Sequence, residues 1–362
     1  MLRYESERVF SLEMARDNGK IKISAYEKFP EDEKTIRHYE FQDICDDEIR
    51  KMCAAVVDLL NRTNHHGKID KKTLKELQTA GQFLYDSLLT NLVKEKLAAT
   101  NTRHLIVSVD DRLVQIPWEL LFDGNSFLCQ RFNMGRVVST SQRISEPAIR
   151  KIEKPIKMLI IADPKGDLEA SYNEGVRLRD KLDNNNETVE VHLRTSLVDV
   201  KFVKGALRDF DVVHYAGHAD YDIKNPSNSG FLMENGKLKA LDIINMIGAK
   251  PLPSLIFSNA CKSGHTDMWR VGGDYETEIY GLANAFLLAG VQHYIGTFWD
   301  VQDEPSLYFA LDFYKELMDG VMVGEAVRKA RLGVIERYGE DTIIWASYML
   351  YGDPTVRYVD LS

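Results

Sequence analysis

The sequence predicts an α/β fold whose second half is a three-layer α/β/α sandwich on a mostly parallel sheet, and three observations predict it. From residue 157 onward short apolar runs alternate with helical patterns, the rhythm of a parallel sheet covered on both faces. The runs at residues 211–215 and 254–258 are short and built around apolar residues, Val212-Val213 and Leu255-Ile256-Phe257, as buried parallel strands are. With 362 residues, 44% of them hydrophobic, the chain is long enough to bury a full core and to form two ordinary domains or one large one.

Taken in order, residues 8–27 alternate apolar and polar around Asp17-Asn18-Gly19, which predicts a hairpin of strands at 9–14 and 20–26. Two helices should follow. Ile49, Met52, Val56, Leu59 and Leu60 share one helical face, and so do Leu74, Leu77, Leu84, Leu88, Leu92 and Val93, with His65-His66-Gly67 as the break. Residues 104–109 read as a strand, and Pro117 suits a helix start. A polar stretch at 145–155 then marks a domain boundary, dividing the chain into residues 1–150 and 151–362. Beyond it strands are expected at 157–162, 188–193, 212–215, 255–258 and 293–297. The helices between and after them fall at 170–182, 197–210, 241–247, 280–289, 305–318 and 324–338.

Composition excludes several classes of function. A formal charge of −9 is the wrong sign for a nucleic-acid surface, where Lys and Arg must neutralise phosphates. The first eight residues carry charge where a secretory signal needs an apolar core, and the longest apolar stretch, near 282–291, is too short to span a bilayer. A soluble, cytoplasmic protein with no membrane partner is the expectation. Four cysteines without a CxxC pair suit a reducing compartment, and Cys45, Cys53 and Cys129 read as small buried hydrophobes. There is no GxxxxGK[ST] loop, no GxGxxG after a strand and no GxSxG elbow, which disfavours nucleotide, dinucleotide and serine-hydrolase chemistry. His65-His66 and the His214/His218 pair lack further ligands at metal-binding spacing, so no metal and no cofactor are expected.

One pair carries chemistry. His218 and Cys261 each fall just beyond a strand-like apolar run, at the sheet edge where open α/β proteins bind ligands. A thiol and an imidazole there can act as nucleophile and proton acceptor, and the alternative for Cys261 is a structural cysteine at a strand end. Gly217 is read as a sharp turn that frees His218 to lean over the edge, whereas His214 should lie along the core. The small residues of Asn259-Ala260-Cys261-Lys262-Ser263-Gly264 allow a tight turn whose amides could face an oxyanion.

Residues 211–220 (DVVHYAGHAD) and 258–264 (SNACKSG) resemble the His and Cys motifs of caspase-like cysteine peptidases, the clan of caspases, separases and gingipains, and within them the CHAT family. Segments 115–122 (QIPWELLF), 162–168 (ADPKGDL), 281–300 (GLANAFLLAGVQHYIGTFWD) and 351–355 (YGDPT) are similar to CHAT segments in the same order, so the resemblance runs from about residue 100 to the end. It implies a caspase-like catalytic domain at 151–362, preceded at 1–150 by a degenerate caspase-like (pseudo-caspase) α/β module. It further implies that His218 is general base and then acid, that Cys261 is the nucleophile, and that the backbone N–H groups of Ala219 and Cys261 form the oxyanion hole. Asp163 and Asn259 occupy the positions that help to line the P1 pocket. Asn259 is neutral where Arg- or Lys-cleaving relatives carry Asp, and an Asp before Pro164 is also a ready turn former, so basic and uncharged P1 both stand.

The function so implied is hydrolysis of a peptide bond in a specific protein partner through an acyl-enzyme intermediate, under activation control by a partner protein. Residues 265–278 read either as a gating loop or as a surface excursion. The alternatives are a catalytically silent peptide-binding or scaffolding module of the same fold and, third, a small-molecule acyl-transfer enzyme with the same dyad.

Overall fold

The computed structural model describes residues 3–4, 7–28, 37–66, 71–110, 113–139, 148–183, 187–220, 222, 225–248, 250–262, 281–297, 303–341 and 343–360. The chain begins with β1 (Arg3–Tyr4), β2 (Val9–Asp17) and β3 (Lys20–Lys28). The last two form the expected hairpin, with Asn18 and Gly19 both at positive φ (49° and 81°), as a two-residue turn matched to strand twist demands. After β4 (Glu40–Asp43) come α1 (Asp46–His66), α2 (Lys71–Leu88) and α3 (Asn91–Ala99). The helix expected to run unbroken through Leu92 and Val93 is two, because the Thr90 side chain caps the N–H of Val93 and starts a new helix. β5 (His104–Asp110), a 3-10 turn at Trp118–Leu120 directly after Pro117, α4 (Leu128–Arg131) and β6 (Asn133–Ser139) complete the first half.

The second half alternates as expected: β7 (Ile156–Ala162), α5 (Glu169–Leu182), β8 (Val189–Thr195), α6 (Val200–Ala206) and β9 (Val212–Asp220). A hairpin that the periodicity did not suggest follows, β10 (Gly230–Met233) and β11 (Gly236–Lys239), then α7 (Ala240–Ile244) and β12 (Leu255–Lys262). The chain ends through α8 (Gly281–Leu288), β13 (His293–Thr297), α9 (Asp303–Met318), α10 (Val323–Tyr338), β14 (Tyr348–Tyr351) and β15 (Val356–Arg357), the last pairing with β1.

Among the described residues one sheet of 13 strands crosses the molecule in the order β11-β10-β9-β12-β13-β14-β6-β5-β2-β3-β4, with β7 and β8 attached along β9. The strands β8, β7, β9, β12 and β13 are mutually parallel. On one face α5 packs on β7, β8 and β9 and against α9. On the other, Tyr215 stacks on Phe231 at 4.0 Å, and Phe231 meets Phe286 of α8. The two halves of the sheet meet where β14 touches β6. A Cβ on Gly135 would lie 2.3 Å from the Gly352 carbonyl, so this crossing requires glycine. Beside it the Arg136 guanidinium, fully buried, forks onto both oxygens of Glu119 from the QIPWELLF segment and donates to the Val114 carbonyl at 2.7 Å.

Two predictions follow from this junction. Glu119→Gln removes the negative charge that pairs with the buried Arg136 guanidinium and should cost about 3–5 kcal/mol in urea unfolding at pH 7; an unchanged midpoint would refute the assignment. His293 is completely buried between Tyr358 and the Asp353 carbonyl, and burial pushes its imidazole down from 6.5 to about 4. Below pH 6.5 the unfolded chain takes up a proton that the folded chain refuses. Stability is therefore whole above pH 6.5 and falls by up to about 3 kcal/mol as pH drops to 4. In His293→Asn that component of the acid loss should disappear from urea midpoints.

Candidate active site

β9 and β12 lie side by side and in parallel, and their register pairs Phe257 with His214, Asn259 with Ala216 and Cys261 with His218. Both strands run further than the apolar runs suggested. Gly217 makes no turn; the strand passes through it and through His218 to Asp220. The glycine is needed for contact instead, since a Cβ there would meet the Tyr215 hydroxyl at 2.9 Å and Pro164 at 3.0 Å. Likewise β12 continues through Cys261 to Lys262. His218 and Cys261 are thus neighbours across a ladder at its carboxyl end rather than residues on two loops, and the Tyr215 hydroxyl holds the His218 carbonyl at 2.6 Å. The segment at 265–278 lies outside the described residues.

Four residues below that level tie the two strands together. Glu174 of α5 accepts through Oε1 from Asn259 Nδ2 at 2.8 Å and from His214 Nε2 at 2.8 Å. The Tyr348 hydroxyl donates to Asn259 Oδ1 at 2.8 Å. With Nε2 turned to a carboxylate, His214 presents Nδ1 to the Tyr314 hydroxyl 3.3 Å away, and burial raises the Tyr314 phenol well above its ordinary range. His214, wholly buried, stacks on Phe257 with ring centroids 5.0 Å apart. His214 is therefore a core residue in a satisfied network, and Asn259, 5% exposed, has both ends of its amide occupied inside it.

Where β7 ends, Asp163 turns the chain at φ 48°. Its Oδ1 accepts from the N–H groups of Asp167 and Leu168 at 2.9 and 3.0 Å, and its own N–H donates to the Ala216 carbonyl of β9. This turn sets Asp167, a residue that sequence reasoning missed, with Oδ1 3.2 Å from His218 Nε2 and Oδ2 2.9 Å from Lys165 Nζ. The hydrogen bond from Lys165 and then the imidazole hold the Asp167 carboxyl below the usual carboxylate range. Its only sequence signal was membership of the ADPKGDL segment. His218 itself is 28% exposed, so the imidazole is reachable from solvent.

Ala219 is buried with register partners on both sides, Phe231 of β10 and Lys262 of β12. Cys261 has its register partner on β9, whereas among the described residues β12 pairs with β13 at Leu255, Ile256 and Phe257. Among the described residues no cluster of His, Cys, Asp and Glu has the make-up of a metal site, and no helix is long and apolar enough to cross a membrane.

The CHAT domain family profile matches residues 78–353, more than half of the chain. The chain belongs to the CHAT domain family. No curated protein matches the CHAT chain in sequence. Among solved structures it is similar to separase in two crystal structures of the Saccharomyces cerevisiae separase–securin complex. Both are 13% identical, with TM-scores of 0.56 and 0.53, and cover 96% of this chain and 30% of that one. The CHAT chain thus spans under a third of the length of the separase chain it matches. The complex of Porphyromonas gingivalis RgpB pro- and mature domains matches at 12% identity and a TM-score of 0.48, over 86% of this chain and 78% of that one. The CHAT chain accordingly shares with separase a mixed α/β fold built on a mostly parallel central sheet.

The remaining thiols differ in reactivity. Burial pushes Cys53 up to about 12 and Cys129 up to about 11, which leaves almost no thiolate at neutral pH. Cys45, expected in the core, is exposed and sits just ahead of α1, where its carbonyl accepts the first helical N–H groups. Iodoacetamide at pH 7.5 should therefore modify Cys45 and leave Cys53 and Cys129 intact by peptide mass mapping, unless the chain is first unfolded.

Proposed function

We propose that this CHAT chain is a cysteine endopeptidase in which Cys261 is the nucleophile and His218 the proton carrier. The observation that carries the reading is the register pairing of residues 218 and 261 at the carboxyl ends of adjacent parallel strands, the edge at which open α/β sheets bind ligands. In the proposed cycle the Cys261 sulfur bonds to the scissile carbonyl carbon while its proton passes to His218. The tetrahedral oxyanion is held by backbone N–H groups. Of the two proposed donors, Cys261 and Ala219, we give the larger share to Cys261, because Ala219 has strands paired on both sides. Collapse breaks the C–N bond, and His218 returns the proton to the departing amine. Water then attacks the thioester, His218 takes its proton, and release of the acid restores the thiol.

Asp163 and Asn259 are buried and bonded within the fold, so we propose that neither selects the P1 side chain by charge. The substrate we propose is a protein, cut at a chosen site with a partner protein controlling activity. The similar separase structures are complexes with securin, which supports a protein partner in that role.

A peptidyl chloromethyl ketone with an uncharged P1 residue should label Cys45→Ser protein once, at Cys261, and fail to label the additional Cys261→Ala or His218→Ala variants at a comparable rate. Comparison of new protein N-termini produced by active and Cys261→Ala chains then identifies the substrate and its P1 residue. Absence of both labelling and cleavage would favour a peptide-binding module of the same fold.

A further inference from the structure

We propose that Asp167 is a positioning residue for His218 and that Asp163 exists to set it, so that both carboxylates serve the imidazole rather than the substrate. This rests on the peptidase reading given above and adds a third member to its thiol–imidazole pair. Topology supplies the first argument. β9 lies between β7 and β12, so His218 has the strand that leads into the Asp167 turn on one side and the strand that bears Cys261 on the other. Asp167 Oδ1 stands 3.2 Å from Nε2, which leaves Nδ1 as the nitrogen to take a proton from the thiol.

The second argument is the construction of the turn. Asp163 is 6% exposed and adopts a left-handed conformation that few residues other than glycine, asparagine and aspartate tolerate. Strain of this kind persists where the surroundings fix it. Here they do: its N–H is bonded to β9, its carbonyl accepts from Gly166 and Ser196 at 3.1 and 3.0 Å, and its Oδ1 takes the N–H groups of Asp167 and Leu168. The backbone of Asp167 is therefore anchored to the same strand that carries His218, and the distance between the two side chains is set by hydrogen bonds. Lys165, 2.9 Å from the other Asp167 oxygen, keeps that carboxyl ionised and restricts its rotation. A carboxylate that orients an imidazole and stabilises its charged form is worth an order of magnitude or more where the imidazole acts as a base.

The test is the second-order rate of Cys261 modification by iodoacetamide at pH 7 in the Cys45→Ser protein, read by mass spectrometry, which requires no knowledge of the substrate. Asp167→Ala should slow it about tenfold while leaving the urea midpoint unchanged, because the side chain is 45% exposed. In a His218→Gln background the same change should have no further effect, since Asp167 acts only through the imidazole. Asp163→Ala should be slowed like Asp167→Ala, and Asp163→Asn, which keeps an Oδ1 acceptor and tolerates the left-handed turn, should recover most of that loss. Full speed in Asp167→Ala together with slowing by His218→Gln would overturn the role of Asp167 and leave the thiol–imidazole pair standing. Indifference to His218→Gln would overturn the pair and the positioning role with it. Equal slowing by Asp167→Ala with and without His218 would assign the residue a purely structural part and also contradict the proposal.

Discussion

The register between β9 and β12 is the constraint on which the rest depends. Eight consecutive pairs, from Val212 with Leu255 to Ala219 with Lys262, place His218 opposite Cys261. A slip of one residue would set Ala260 or Lys262 there and turn every side chain of one strand to the wrong face. Parallel pairing in itself does little to prevent slippage; side chains supply the specificity. One oxygen of Glu174 binds His214 on the first strand and Asn259 on the second, so a slip of one strand past the other would break one of these bonds and bury its donor unpaired. The His214 ring stacked on Phe257 and the Tyr348 hydroxyl on Asn259 fix the same alignment. A buried polar cluster two residues below the rim thus fixes which residues meet at the rim.

The first half of the chain contributes rigidity to this arrangement. β13 and β14 join the candidate site to β6, and the Glu119–Arg136 pair and the close glycine contact at Gly135 and Gly352 hold that joint together. Tyr348, in β14, is both part of the joint and a hydrogen-bond donor to Asn259. Aromatic packing continues the link: Tyr348 lies on Phe309 of α9 at 3.7 Å, and Phe257 of β12 contacts Phe313 and Tyr314 of the same helix. The segments that resemble CHAT motifs outside the His and Cys runs therefore include pieces of one mechanical support.

Much of this was legible in the sequence wherever a local signal decides the structure. Asn18-Gly19 specifies a hairpin turn, and short runs built around apolar residues specify buried parallel strands. The β10–β11 hairpin had a signal, Asn235-Gly236 between alternating residues, that the βα rhythm around it obscured. Thr90 marked a helix start within an otherwise continuous apolar face. The ends of β9 and β12 could not be read, because Gly217 and the small residues before Cys261 look like turn formers, whereas Gly217 is there for close packing against Tyr215 and Pro164 and Asn259 for its bonds to Glu174 and Tyr348. Asp167 and Glu174 were invisible for a different reason: their importance comes from contacts 51 and 85 residues away in the chain (218 − 167 and 259 − 174), and no local pattern encodes those.

The central claim concerns a sulfur and an imidazole meeting at the end of one strand pair. A crystal structure of the chain with a peptidyl electrophile bound tests it most directly. The account predicts a covalent bond at the Cys261 sulfur, a His218 ring nitrogen within about 4 Å of it, and β9 and β12 paired as Cys261 with His218. An adduct at Cys45 alone, or a His218 ring turned away from a sulfur that the ligand never reaches, would contradict it.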